Sequence, residues 1–239
     1  MSRLTQNVVL LLVGLSTALM VVKGTYLHYV KPALFPWLIC AAVVLTALAL
    51  VAIISDLRHT LAGPDDPNDE GHRHRPWLVW LLLVPIALTA FVVPPPLGAR
   101  GTAPQAVAAT QPHRHAFPPL PPGRAPAVSL PDVLMRAATD SANTLNGRLI
   151  TISGFTMRNA DSTDLARVVI ICCAADAQLA RIHLSGPAEA VAAGFPEDTW
   201  LQVEGQVVPG TSQAATNFIP TMAASSVTRI DKPANTYAY

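Results

Sequence analysis

Two adjacent cysteines, Cys172 and Cys173, are the residues of this chain with the clearest potential for chemistry. Asp176 follows three residues later, and its carboxylate could join two thiolates as a third ligand of a soft metal ion. A disulfide between the cysteines is disfavoured, because adjacent Cα atoms lie about 3.8 Å apart and disulfides usually span about 4.4–6.8 Å. Two interpretations stay open: a metal site, or thiols that only pack while Asp176 caps a turn.

The backbone around the cysteines decides whether they can share an ion. In a regular strand, neighbouring side chains point to opposite faces, so Cys172 and Cys173 could not bind one ion together. A bulge or a strand end would remove that obstacle, and Ala174 and Ala175 leave room for one before Asp176. Metal binding therefore requires the strand to bulge or end at the cysteines.

Two further residues are candidates near this motif. His183 lies on a predicted strand, where it is either a further metal ligand or an ordinary surface residue. Arg167 opens the segment that leads to the cysteines, and we expect it to pair with Asp161 or Asp164 at the surface.

Histidines also form short clusters outside the motif. Two imidazoles separated by one residue can reach the same transition metal. Arginines beside the first cluster disfavour a cation, so a solvated loop is the alternative interpretation. The secondary metal candidates are His72, His74, His113 and His115.

Several function classes are excluded or disfavoured by composition and motifs. The chain has no nucleophile elbow, glycine-rich phosphate loop, zinc-protease helix or CxxC pair, so we expect that it is not an enzyme. Its formal net charge of +1 offers little attraction for phosphates, so we also expect no nucleic-acid partner.

The last part of the chain has the pattern of a small β domain. A helix is predicted from a Ser129 cap to about Thr139, and a short helix lies between the third and fourth strands. Five strands with this helix are typical of a small all-β OB-like barrel, with an unspecified β-sandwich as the alternative. Gly154 and Gly205 fall where such barrels bend. The predicted strands are residues 148–157, 166–173, 180–184, 200–208 and 223–230.

The first part of the chain is apolar. Hydrophobic residues make up 51% of the chain and charged residues 13%, about half of the usual ~25%. Three long uncharged segments predict three transmembrane helices, at about residues 4–22, 33–55 and 77–93. The first could instead be a secretory signal, but it lacks a small-residue cleavage site.

These segments predict three regions: a transmembrane region at 1–99, a Pro/Ala-rich linker at 100–127 and the soluble domain at 128–239. With three crossings, the positive-inside rule places the N-terminus in the cytoplasm and the soluble domain outside. The basic residues counted on the inner side are Arg3, Arg58, Arg73 and Arg75, against Lys23, Lys31 and Arg100 on the outer side.

Motifs along nearly the whole chain resemble one family, the YcgQ-type bacterial membrane proteins, which are associated with a YcgR-type permease as a two-component transporter. The resemblance implies a YcgR-type integral membrane permease as partner, a location in the lipid bilayer and a role in metal homeostasis with Zn²⁺ as the candidate cofactor. The motifs that carry it are Gly14-Leu15, Tyr29-Val-Lys-Pro32, Pro94-Pro-Pro-Leu-Gly98, Gly154-Phe155 and Arg167…Cys172-Cys173-Ala-Ala-Asp176-Ala.

We therefore expect a multi-pass protein of the bacterial cell membrane that acts as an accessory subunit of a permease. Its external OB-like domain would dock a partner or capture a solute or metal. The alternative is an extracytoplasmic metal-binding or thiol redox module that uses Cys172 and Cys173 directly.

Overall fold

The computed structural model describes residues 3–62, 114–159 and 162–238. The chain divides into two compact units, Met1–Pro95 and Pro96–Tyr239. The third predicted transmembrane helix, at 77–93, lies outside the described residues, as do His72, His74 and His113.

Two helices form the described part of the first unit: α1 (Arg3–Val22) and α2 (Phe35–Ala62). Gly14 of α1 lies so close to α2 that an added Cβ would come within 2.6 Å of Thr46 Oγ1. Ala49 of α2 is fully buried. Small residues at the contact allow the two backbones to approach closely, as they do between membrane helices.

One described helix, Pro32–Ser55, is long and apolar enough to cross a membrane, with 24 residues and a mean hydropathy of 2.8. Its length, composition and N-terminal position fit either a membrane span or a signal sequence. The apolar part of α1 is shorter, Gln6–Val22. The predicted fold class, three transmembrane helices followed by a small all-β barrel, is therefore wrong, and a multi-pass arrangement is not supported. The prediction counted residues between successive charges along the sequence, whereas a membrane span needs about 20 continuous apolar residues.

The second unit is built on one mixed sheet of five strands, which closes on itself in the order β1-β2-β3-β5-β4. The β3–β5 pair is parallel, and the other four neighbouring pairs are antiparallel. The strands are β1 (Ile150–Asn159), β2 (Ser162–Val169), β3 (Gln178–Ser185), β4 (Trp200–Val207) and β5 (Thr221–Arg229).

Glycines permit the tight curvature of this sheet. An added Cβ at Gly154 would lie 2.5 Å from the carbonyl oxygen of Ala166 on β2. Gly205 lies where the pairing of β4 with β5 shifts register, between Glu204 and Gly205. Both positions have room for a hydrogen atom only, so the strands can approach each other there.

The core of the second unit has two parts. Alternating residues of the strands, among them Leu165, Ile182 and Val203, fill the main cluster and are fully buried. A second cluster contains Phe155 and Trp200, whose rings meet edge to face with centroids 5.9 Å apart. The second cluster also includes the buried Tyr237, so the segment after β5 packs against the sheet.

Two helices complete the second unit, α3 (Leu130–Thr139) and the short α4 (Glu189–Ala193). The predicted start of α3 is confirmed, since the Ser129 side chain accepts the Asp132 N–H at 3.4 Å. Part of the predicted linker contacts the sheet, because the Thr151 N–H donates to the Pro126 carbonyl at 2.9 Å.

Candidate metal centre

The two cysteines lie in a turn and not on a strand. Strand β2 ends at Val169, four residues earlier than the sequence pattern predicted. The next N–H, from Ile170, donates to the Ala238 carbonyl of the C-terminal segment at 3.0 Å. The obstacle that a regular strand would place between Cys172 and Cys173 is therefore absent.

The carboxylate of Asp176 organises this turn. One oxygen accepts the Ile171 N–H at 2.9 Å, and the other accepts the N–H groups of Cys172 at 2.8 Å and Cys173 at 3.2 Å. A single turn of 3-10 helix, Ala174–Asp176, returns the carboxylate to these donors. We call residues 171–176 the cysteine loop.

The cysteine loop brings three potential metal ligands together. One Sγ from each of Cys172 and Cys173 and one carboxylate oxygen of Asp176 all lie within 4.8 Å of one another. Cys172 is exposed, and the other two residues are half-buried. The three groups therefore face a position that solvent can reach.

Hydrogen bonding inside the loop fixes the protonation of its groups. The Cys172 thiol donates to the Asp176 carboxylate, which with the nearby Cys173 thiol raises the pKa of Cys172 to about 11. The same hydrogen bond, together with the three backbone N–H donors, lowers the pKa of Asp176 to about 2. At neutral pH the loop therefore holds a carboxylate and a protonated Cys172 thiol.

This arrangement is suited to exchanging a proton for a metal ion. One Asp176 oxygen accepts a single backbone N–H, from Ile171, and a carboxylate oxygen can accept two hydrogen bonds, so this oxygen has capacity for the Cys172 thiol or, once that proton is lost, for a metal ion. Loss of the Cys172 proton would supply a thiolate beside that oxygen. Two thiolates and one carboxylate match the ligand preferences of Zn²⁺, and thiolates match those of Cu⁺.

His183 does not join this group. It lies on β3 five residues beyond Gln178, about 16 Å along the strand. Its Nδ1 lies 2.6 Å from an oxygen of Asp164, which is fully buried. The structure thus places this predicted ligand in a separate polar cluster.

The cluster around Asp164 was not identified from the sequence. Its carboxylate also accepts a hydrogen bond from Asn159 Nδ2 at 2.5 Å and has Arg181 Nη1 at 3.9 Å. Asp164 and His183 are cross-strand partners of β2 and β3. The β2–β3 register pairs these two residues and would have revealed the cluster. The sequence pattern predicts β2 four residues too late, so it does not give this pairing.

Arg167 has a structural role that differs from the surface pair expected for it. Its guanidinium donates to Ser153 Oγ at 3.2 Å and to the carbonyl oxygens of Asn235 and Tyr237. It also lies over the Trp200 ring, 5.5 Å from the centroid. Arg167 therefore ties the C-terminal segment to the sheet. Of its predicted partners, Asp164 instead contacts His183 and Asn159, and Asp161 lies outside the described residues.

The remaining candidates lie elsewhere. His115 stacks on Phe117 with ring centroids 4.4 Å apart and bridges to Asp140 through its backbone. Cys40 lies on α2, in the other unit. Within the described parts of the chain, the cysteine loop is the group of three or more ligand side chains close enough to hold one metal ion.

Comparison with known proteins gives one match. No curated protein and no solved structure matches the chain. Residues 133–239, which include all five strands and the cysteine loop, match the family model described as the DUF1980 C-terminal domain.

Proposed function

We propose that this protein is a membrane-anchored accessory subunit of a transport system, and that its second unit captures a thiophilic metal ion at the cysteine loop. One observation carries the proposal: the two Sγ atoms and a carboxylate oxygen lie within 4.8 Å of one another on an accessible turn. Zn²⁺ is the candidate ion, and Cu⁺ is the alternative for the same thiolates.

The dimensions of the loop support an ion of this kind. With Zn–S bonds of about 2.3 Å and Zn–O bonds of about 2.0–2.2 Å, the tetrahedral ligand atoms lie about 3.5–3.8 Å apart. The separations in the loop, at most 4.8 Å, need a contraction of about 1 Å. Side-chain rotation of Cys172, which is exposed, can supply this movement.

Three protein ligands leave a fourth position open. Closed four-ligand sites are structural, whereas an open position can take water or a ligand from another molecule. An ion held on an exposed turn by three groups can be passed to a partner that completes its coordination. This property suits capture and transfer better than permanent storage.

Thiol redox chemistry is the less favoured use of the same residues. The attacking species in thiol exchange is the thiolate, and the raised pKa of Cys172 keeps it protonated at neutral pH. A disulfide between neighbours would also be strained.

The first unit supports the anchoring part of the proposal. Helix α2 can serve as a membrane span. The proposed location is the bacterial cell membrane, with the second unit outside, where the cysteine loop would meet ions before they reach a permease. The resemblance to YcgQ-type proteins makes a YcgR-type permease the proposed partner.

Competition for Zn²⁺ with a chromogenic chelator tests the capture step. Full-length protein in detergent should bind one ion, and Cys172→Ser, Cys173→Ser and Asp176→Ala should each weaken binding at least tenfold. Cys40→Ser is the matched control, since it removes a thiol from α2, and it should bind as the wild type does. Equal binding by all four variants would contradict the proposal.

A second experiment tests the partner. Affinity purification from native membranes should recover an integral membrane permease together with the protein. Recovery of the protein without any membrane transporter would contradict the accessory-subunit role and leave metal capture to be judged by the chelator experiment.

A further inference from the structure

A cleft of about 290 Å³ lies away from the cysteine loop, between the end of α3, the turn at 140–147 and the loop after β4. Two arginines line it, Arg114 and Arg136, and Asp140 is the one acidic residue of its lining among the described residues. The cleft shares no residue with the cysteine loop, so its use does not depend on metal capture.

Arg136 lines this cleft and is almost fully buried. Its side chain is only 6% exposed, and its Nε donates to Asp132 at 3.0 Å. Its Nη1 donates to the Pro118 carbonyl and to Thr144 Oγ1, both at 2.8 Å. Nη2 has no hydrogen-bond partner among the residues that the structure describes. The guanidinium is therefore held in place through Nε and Nη1, and the N–H groups of Nη2 remain able to donate to a ligand.

Arg114 lies on the same cleft. Its Nη2 donates to the Asp140 carbonyl at 3.0 Å and lies 3.4 Å from Asn143 Oδ1. These contacts hold the guanidinium in place by one amino group. Among the described residues, its Nη1 and Nε have no such contacts and remain able to donate.

The one carboxylate of the cleft is already occupied. Asp140 accepts the N–H groups of Phe117, Ala142 and Thr144 and the Thr144 hydroxyl. Burial raises the pKa of Asp140, but these hydrogen bonds outweigh burial and hold it well below the ordinary value. Asp140 is thus ionised, and its oxygens are engaged by the N–H and hydroxyl groups of the adjacent turn and of Phe117. It does not pair with either guanidinium of the cleft.

We propose that this cleft binds a small organic anion through a carboxylate or phosphate group held between Arg114 and Arg136. Both guanidinium groups carry a positive charge and N–H donors, which suit the oxygens of a carboxylate or phosphate. Asn146 and Ser212 add amide and hydroxyl groups to the lining, and Leu145 contributes apolar surface for a short carbon skeleton.

Calorimetric titration of full-length protein in detergent, in a chloride buffer, tests this site. The probes are inorganic phosphate and succinate, which separate the phosphate source from the carboxylate source. We expect saturable binding of at least one probe and at least tenfold weaker binding in Arg114→Gln. Arg229→Gln is the matched control, because Arg229 is exposed at the end of β5 and does not line the cleft.

A second variant keeps the test decisive if Arg114→Gln does not fold. Asn146→Asp exchanges one polar turn residue for another and adds a negative charge to the lining, so it should also weaken binding at least tenfold. Gln202→Glu, on the exposed face of β4, is its control and should bind as the wild type does. Absence of saturable binding for both probes at millimolar concentration, or equal binding by wild type and cleft variants, would overturn the proposal. Either result would leave the chelator experiment on the cysteine loop unaffected.

Discussion

At the scale of single residues, two aspartates accept backbone hydrogen bonds in the same way but differ in what their carboxylates can still bind. Asp176 and Asp140 each collect three backbone N–H groups and hold a short segment around a carboxylate. Asp140 is buried, and its carboxylate oxygens accept hydrogen bonds from the protein's own donors. Asp176 is half-buried and lies beside two thiols, so its carboxylate can also serve a ligand.

The Asp176 carboxylate should control the reactivity of Cys172. Its hydrogen bond is the largest of the effects that raise the pKa of that thiol to about 11, so the alkylation rate of Cys172 should rise only at alkaline pH. Asp176→Asn removes the charged acceptor, so the midpoint of the rate profile should fall toward the ordinary thiol value of 9.0. The measurement is the iodoacetamide rate against pH in a Cys40→Ser, Cys173→Ser background.

Asp231→Asn in the same background is the control, because Asp231 is an exposed acid outside the loop. It should leave the profile unchanged. An unchanged midpoint in Asp176→Asn would show that the carboxylate does not hold the Cys172 proton.

The spacing of Cys172, Cys173 and Asp176 was enough to identify the candidate site from the sequence. His183 was assigned to the same site but lies beside Asp164. Spacing along the chain predicts contacts within a turn, where residues are neighbours by construction. It does not predict contacts between strands, which depend on register.

At the scale of elements, the ends of β2 and α3 decide where functional groups lie. The sequence predicts five strands and the described residues form five, but β2 begins and ends four residues earlier than expected. The apolar run that suggested a strand at 166–173 is real. However, the N–H groups of residues 171–173 bond to Asp176, and backbone donors engaged by a side chain are lost to the sheet.

Asp140 should stabilise the junction between α3, the turn that follows and residues 114–117. Asp140→Ala leaves three backbone N–H groups without their acceptor, so the free energy of unfolding should fall by about 2–3 kcal/mol. Thermal unfolding of the full-length protein, followed by circular dichroism, measures the loss. Asp231→Ala should unfold as the wild type does, and equal melting of both variants would contradict this role.

The same carboxylate predicts a pH dependence. The pKa of Asp140 is lower in the folded state than in the unfolded chain, so its stabilisation is present above the unfolded value of about 4 and is lost as the pH falls further. The stability difference between wild type and Asp140→Ala should therefore shrink below about pH 4. A difference that stays constant down to pH 2 would mean that the charge of Asp140 does not contribute.

At the scale of the whole molecule, we propose that the apolar helix α2 anchors the chain and that the unit built on the closed five-stranded sheet carries the binding site. Counting uncharged stretches gave three spans, and α2 is the described helix that meets the requirement for crossing a membrane. The distance between charges is a weaker criterion than the length of a continuous apolar helix, since the apolar part of α1, Gln6–Val22, is shorter than the uncharged segment suggested.

The proposed orientation can be tested with the cysteine loop itself. In intact cells, a membrane-impermeant thiol reagent at alkaline pH should label Cys172, which is exposed, in a Cys40→Ser background. Excess Zn²⁺ should protect it. A cytoplasmic protein with an exposed thiol is the control for leakage, and labelling that requires permeabilised cells would place the second unit inside.

The central claim is that two thiolates and a carboxylate of the cysteine loop bind one metal ion, and X-ray absorption of the zinc-loaded full-length protein tests it most directly. We predict two sulfur ligands at about 2.3 Å and an oxygen ligand at about 2.0–2.2 Å, with one sulfur fewer in Cys172→Ser. A spectrum with nitrogen and oxygen ligands alone, unchanged in Cys172→Ser, would contradict the account and assign the ion to another part of the chain.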